Sequence, residues 1–158
     1  MNAILPVAVI CLTLAFSQPA TKFTAKVVGI TDGDTITVLR DNGQIRIRLH
    51  GIDCPERGDD FSQKAKQFTS TLVFGKTVQV KPVDIDRYGR TVARIYIGEK
   101  DLSVEFVRSG LAWHYIQYAP NNKELAEAEA FARSAGIGIW SLPNLLPPWE
   151  RASLQSKT

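Results

Sequence analysis

Three aspartates, two arginines and a glutamate are the side chains in this sequence whose types and spacing point to chemistry. Asp32 and Asp34 flank Gly33, Arg48 precedes Asp53 by five positions, Glu56 follows Pro55, and Arg90 closes the run Asp86-Arg87-Tyr88-Gly89-Arg90. The aspartates are hard oxygen donors with no soft ligand among them, a set suited to Ca²⁺ or Mg²⁺ rather than zinc or copper. Arg48 can hold a phosphate through two parallel N–H donors, as can Arg90, and Glu56 is a carboxylate able to take a proton from water. Each residue also has a plainer reading. Asp-Gly-Asp is ordinary turn vocabulary, Asp53 can simply open a loop, strand and turn arginines are commonly solvated as Arg46 is expected to be, and Glu56 can be a surface charge. Jointly they favour a site for a phosphate and a hard metal ion.

Secondary structure must then bring them together. Asn42-Gly43 suits a tight hairpin turn between two strand-like runs. Folding there carries Asp32 and Asp34, ahead of the first run, close to Arg48 and Asp53 at the end of the second. Residues 23–30 read as an earlier strand, Ile36 and Val38 as part of a second, and Ile45, Ile47 and Leu49 alternate with Arg46, Arg48 and His50 in a third. Phe61, Ala65, Phe68 and Leu72 recur at helical spacing, with Asp60 or Ser62 as cap and Gly75 as stop. Val78 and Val80, a polar turn over 84–90 and a return over 91–97 form a second hairpin. Asp101 can cap a helix running through Arg108, and Asn121 or Asn122 another through Ala135, ended by Gly110 and Gly136. Trp140 reads as a core plug. The order predicts an α+β fold, a five-stranded OB-type β-barrel with three helices.

The composition, 44% hydrophobic and 22% charged over 158 residues, fits one globular domain, and a net charge of +3 only mildly favours an anionic partner. Residues 1–17 read as a signal peptide ending Ala15-Phe16-Ser17, with an uncleaved membrane anchor as the alternative. The expected destination is secreted or periplasmic. Removing that segment leaves Cys54 as the sole cysteine, which excludes an internal disulfide, and with two histidines the chain argues against structural zinc. The domain is expected over residues 22–141, followed by an irregular C-terminal tail over 142–158.

Three blocks, Asp32-Gly33-Asp34-Thr35, Arg48-Leu49-His50-Gly51-Ile52-Asp53-Cys54-Pro55-Glu56 and Asp86-Arg87-Tyr88-Gly89-Arg90, resemble the staphylococcal nuclease (thermonuclease) family in order and spacing. Ala112, Pro120-Asn121-Asn122 and Ile139-Trp140-Ser141 extend the likeness over residues 22–141. The resemblance implies a Ca²⁺-dependent secreted phosphodiesterase acting on DNA and RNA with little sequence preference and leaving 3′-phosphates. It implies Asp34, Asp53 and the backbone carbonyl of Cys54 as Ca²⁺ ligands with Asp32 in support. Arg48 and Arg90 would then hold the phosphate, and Glu56 would position or deprotonate the attacking water. Tyr88 matches a stacking tyrosine. Counting back from Pro120 puts Ile116 at the family's other stacking tyrosine, with Tyr115 and Tyr118 beside it. Tyr118 is taken as the second stacking contact, against the other reading that Tyr118, Trp113 and His114 pack between the C-terminal helices. A monomer with no stable protein partner is expected. The rival class is a catalytically silent OB-type module that binds nucleic acid or protein.

Two departures from the family pattern stand out. Cys54 replaces a threonine, leaving the carbonyl unchanged, and the segment between Glu56 and the first helix is several residues short, with Arg57 its only basic residue before Lys64.

Overall fold

The structure, a computed structural model, describes residues 21–156, so the segment expected to be a signal peptide lies outside the described residues. Five strands form the barrel: β1 (Phe23–Asp32), β2 (Thr35–Arg40), β3 (Gly43–Leu49), β5 (Thr77–Ile85) and β6 (Thr91–Ile97). Two-residue bridges β4 (Ile52–Asp53), β7 (Lys100–Asp101) and β8 (Trp113–His114) supplement them. The helices are α1 (Ser62–Val73), α2 (Leu102–Arg108), α3 (Lys123–Ala135) and α4 (Pro148–Gln155), with a 3₁₀ turn over Gly138–Ser141. Neighbours run β3-β2-β1-β5-β6, and a parallel pairing of β3 with β6, from Ile47↔Thr91 to Leu49↔Ala93, closes the barrel. Register shifts in β1 and β5 supply the local bending that closure of so small a barrel demands.

Alternation along these strands sends Val27, Ile36, Val38, Ile47, Leu49, Val78, Val80 and Ile95 inward, each at most 1% exposed. A fully buried side chain of this kind stabilises the fold by about 1.5–3 kcal/mol through the water it releases. Helix α1 lies over this barrel, and Phe68 meets Phe106 of α2 edge to face at 4.9 Å.

Most expected elements are present, with five differences. The hairpin turns at Asp41-Asn42, both at positive φ, while Gly43 already pairs with Arg40. Asp and Asn tolerate that left-handed conformation, so glycine is not required at either position. Helix α1 starts from Phe61 at φ 66°, with no side-chain cap, because Ser62 Oγ donates to the carbonyl of Asp59. The polar turn of the second hairpin spans 86–90 only, β5 continuing to Ile85. Ile139, 1% exposed, fills the core place expected of Trp140, whose half-buried ring carries the Arg133 guanidinium at 4.3 Å. The tail is not irregular throughout: Pro148 sits in the first turn of a fourth helix, where its missing N–H and fixed φ favour a start. Asn122 and Asp101 do cap α3 and α2, accepting from Leu125 N and Ser103 N.

Candidate active site

The candidate residues gather where β2 begins, β3 ends and β6 begins, at one end of the barrel. Antiparallel pairing sets Thr35 opposite Arg48, and the parallel β3–β6 pairing sets Arg48 beside Val92, two residues beyond Arg90. The amide of Leu49 donates to the carbonyl of Asp34 at 2.8 Å, tying the Gly33-Asp34 turn to the end of β3. Asp53 is fixed through its bridge to Trp113.

Arg48 is the centre of this arrangement. One guanidinium nitrogen pairs with Asp34 Oδ2 and the other reaches Asp53 Oδ1 at 2.7 Å. Asp34 also accepts from the Cys54 amide at 3.0 Å and the Thr35 hydroxyl at 3.1 Å. Burial disfavours the charge on Arg48, but Asp34, Asp53 and the Asp53 hydrogen bond together outweigh it and hold its pKa above the ordinary value. Asp53 goes the other way. Burial, opposed by Arg48 but reinforced by Asp34 and Glu56, pushes its pKa up to about 6. One guanidinium therefore serves two carboxylates, the buried Asp34 and the partly buried Asp53, and leaves a negative charge uncompensated.

Arg90 comes from the second hairpin. Asp86 shapes the turn by accepting from the Tyr88 and Arg90 amides, each at 2.9 Å, and its other oxygen accepts from Arg90 Nε at 2.6 Å. Although burial alone would raise the pKa of Asp86, those bonds from Arg90 and Tyr88 hold it below the ordinary value. A terminal nitrogen of Arg90 donates to Thr35 Oγ1 at 3.4 Å. Thr35 thus links the two arginines through Asp34.

Asp32, Asp34, Arg48, Asp53, Glu56 and Arg90 line one cavity of about 550 Å³. Asp32 contributes to its wall, and Glu56, its side chain 69% exposed, stands at its rim. Arg57, from the shortened segment, lines it as well. Cys54 is buried and its thiol is pushed well above the ordinary range by that burial, so the reactivity of an exposed thiol does not apply. Among the described residues, no group of three or more His, Cys, Asp or Glu is gathered as a metal cluster, Asp34 and Asp53 being turned onto Arg48. The donor chemistry nonetheless fits a hard divalent cation, since the uncompensated charge is what such an ion would neutralise.

A second groove, of about 710 Å³, shares Arg48 and Arg90 with this cavity and runs between the 83–90 hairpin and the 115–118 segment. Tyr88 and Tyr118 both line it and are 69% and 65% exposed. Tyr118 is exposed, whereas Trp113 and His114, the two residues of β8, are buried. Arg87 and Arg90 lie 4.9 and 5.5 Å from the Tyr88 ring centre and support its orientation.

Sequence reasoning did not single out Thr35, Asp86, Asp59 or Arg151 as site residues. The first two lie inside the quoted blocks, where a hydroxyl beside Asp34 and a carboxylate four residues before Arg90 are legible signals. The pairing of Asp59 with Arg151, 92 positions apart, has none.

A closed OB-type barrel with an arginine–carboxylate cavity at one end defines a class of small β-barrel domains. Residues 46–142 match the family described as staphylococcal nuclease homologue. The "Micrococcal nuclease" of Shigella flexneri is 39% identical over 150 residues, covering 88% of this chain and 86% of that protein. An endonuclease of Haemophilus influenzae is 41% identical over 133 residues, covering 82% and 74%. The "Staphylococcal-like nuclease CAN1" of Arabidopsis thaliana is 39% identical over 107 residues, covering 68% and 33%. The chain belongs to the staphylococcal nuclease family.

Proposed function

We propose that the protein is a Ca²⁺-dependent phosphodiesterase that hydrolyses DNA and RNA with little sequence preference and leaves 3′-phosphates. The observation that carries this reading is that two arginines from separate hairpins, Arg48 and Arg90, line one cavity with Asp34, Asp53 and Glu56. The names of the relatives, an endonuclease and a micrococcal nuclease, support the nuclease part of this reading.

In this scheme Asp34, Asp53 and the carbonyl of Cys54 hold the metal, with Asp32 in support. When bound, Ca²⁺ neutralises phosphate charge and favours the more highly charged transition state. Arg48 and Arg90 donate to the phosphate oxygens as charge builds there, a contribution larger in the transition state than in the ground state. Glu56 orients the attacking water and accepts its proton. Tyr88 and Tyr118 offer ring faces on which any base can stack, which suits low sequence preference.

Export to a secreted or periplasmic location is part of the proposal and rests on residues 1–17. Among the described residues, no helix is long and apolar enough to cross a membrane. The protein is proposed to work as a monomer.

The deciding experiment incubates the full chain with single-stranded DNA, duplex DNA and RNA, in Ca²⁺, in Mg²⁺ and in chelator, followed by end-group analysis. Cleavage of all three in Ca²⁺, lost in chelator, with 3′-phosphate ends, is the expected result. Cleavage that persists unchanged in chelator would overturn the metal scheme. Binding without cleavage in any condition would make the protein a silent OB-type module.

A further inference from the structure

Glu56 is carried by a loop whose backbone has little to hold it from within the barrel. Residues 56–61 make only local main-chain bonds: Asp59 N donates to the carbonyl of Glu56 at 2.9 Å, and Ser62 N to that of Asp59 at 3.2 Å. The loop then enters α1 through Phe61 at φ 66°. A non-glycine residue held there is strained and persists only where surrounding contacts over-determine it.

The side-chain contacts that tie this loop to the rest of the chain converge on Asp59. Its Oδ2 accepts from the Glu56 amide at 3.0 Å. The same carboxylate receives both terminal nitrogens of Arg151, at 2.8 Å to Oδ1 and 2.5 Å to Oδ2. One Arg151 nitrogen also lies 3.7 Å from Glu56 Oε2. Arg151 belongs to α4, which is fastened to β8 and the residue after it by Trp149. The indole stacks on the Tyr115 ring at 4.5 Å and 7° and meets Trp113 edge to face at 6.4 Å. The bidentate bond drives the Asp59 pKa below its ordinary value and the Arg151 pKa above its own.

We propose that Arg151 is a positioning residue for the candidate active site: through Asp59 it fixes the Glu56 backbone, and α4 thereby becomes part of the catalytic apparatus. The proposal rests on the nuclease reading of Glu56 given above. The planar fork of arginine matches both carboxylate oxygens at once and so defines an orientation, where a lysine would supply only a point charge. A loop set in this way presents the Glu56 carboxylate toward the cavity rim. A loop released from Asp59 samples other placements, and a displacement of about 1 Å at a catalytic group can cost on the order of a hundredfold in rate.

The test compares the wild-type full chain with Arg151→Ala, Arg151→Lys, Asp59→Ala and the double variant Arg151→Ala/Asp59→Ala. Steady-state cleavage of a short single-stranded DNA in Ca²⁺ is measured together with amide hydrogen exchange over residues 54–62. Arg151→Ala is expected to lower kcat roughly tenfold or more with KM within about twofold, and to speed exchange at the Glu56 amide. Arg151→Lys is expected to recover part of kcat, and Arg151→Ala to add nothing in the Asp59→Ala background. An unchanged kcat in Arg151→Ala would overturn the proposal, as would an equal loss persisting in the Asp59→Ala background, since the effect would not then pass through Asp59. If the wild type cleaves nothing, the nuclease reading fails and with it the catalytic part of this proposal. Exchange then tests the loop alone: no change at Glu56 in Arg151→Ala would overturn the ordering role too.

Discussion

Thr35 stands directly opposite Arg48 in the β2–β3 ladder, and its hydroxyl lies between the Asp34 carboxylate and the Arg90 guanidinium. The pairing makes the two arginines unequal. Arg48 is committed to Asp34 and Asp53 inside the protein, whereas Arg90 is set by Asp86 within its own turn. A phosphate would therefore compete with two carboxylates for Arg48 and with one, Asp86, for Arg90.

Lysine at either position keeps the charge and loses the two-donor fork. Arg48→Lys and Arg90→Lys are each expected to lower kcat by about 10²–10³, the range for losing a well-placed donor to a developing oxyanion. Thermal unfolding should separate them. An ammonium cannot reach Asp34 and Asp53 together, so Arg48→Lys loses stability, while Arg90→Lys unfolds near the wild-type temperature. Equal melting temperatures for all three proteins would contradict the bridging role of Arg48.

The exposed rings of Tyr88 and Tyr118 make a different kind of contribution. Stacking on a base changes little between ground and transition states, so Tyr88→Ala and Tyr118→Ala should raise KM and leave kcat nearly unchanged. The expected loss is about 1–3 kcal/mol of binding for each base contact removed, checked by titrating short oligonucleotides of different sequence. A fall in kcat with KM constant would place either ring at the chemistry instead.

How much of this was legible in the sequence depends on the range of each signal. Asp34, Arg48 and Asp53 lie within one hairpin and its exit, and alternation of Ile45, Ile47 and Leu49 with Arg46 and Arg48 suffices to put Arg48 on the outer face. The hairpin turn itself moved by one residue because Asp41 accepts a positive φ as Asn42 does. Barrel closure through β3 and β6 carries no local signal, yet it is what sets Arg48 beside the start of β6. The helix in the tail is not legible for a related reason. Its prolines suggest irregular chain, but Pro147 caps and Pro148 begins a helix whose anchors, Tyr115 and Asp59, come from far earlier in the chain.

Gly33 fits where no side chain can. A Cβ built there would stand 2.9 Å from both Ala65 Cβ and Cys54 Sγ, and Thr69 Oγ1 of α1 donates to the Gly33 carbonyl at 2.5 Å. The turn presenting Asp34 is thus clamped between α1 and Cys54. Gly33→Ala is expected to destabilise the fold by about 1–3 kcal/mol through overpacking and to lower kcat by displacing Asp34. Gly43→Ala, whose added Cβ would meet nothing closer than the Arg40 carbonyl at 3.5 Å, serves as the control and should change neither. Urea unfolding and turnover measured on both variants decide the matter.

The Arg151–Asp59 pair gives stability a specific dependence on acid. The Arg151 hydrogen bonds, acting against partial burial, hold the Asp59 pKa below its ordinary value of 3.8. A carboxylate depressed in the folded state binds its proton more readily when unfolded, so its stabilising contribution is complete above the unfolded value and is lost as pH falls through the lower folded one. The contribution of this pair should therefore be constant from neutral pH down to the ordinary range of an aspartate and decline below it. Arg151→Gln removes the cause of the shift. Its melting temperature is expected to lie below that of the wild type at pH 6, and the gap to close as both proteins are acidified toward pH 2. Because Asp86 is held down by its own partners, Arg90 and Tyr88, the variant keeps that part of the acid response. A gap between the two melting curves that stays constant across this range would mean that Arg151 acts through packing of α4 rather than through the charge on Asp59.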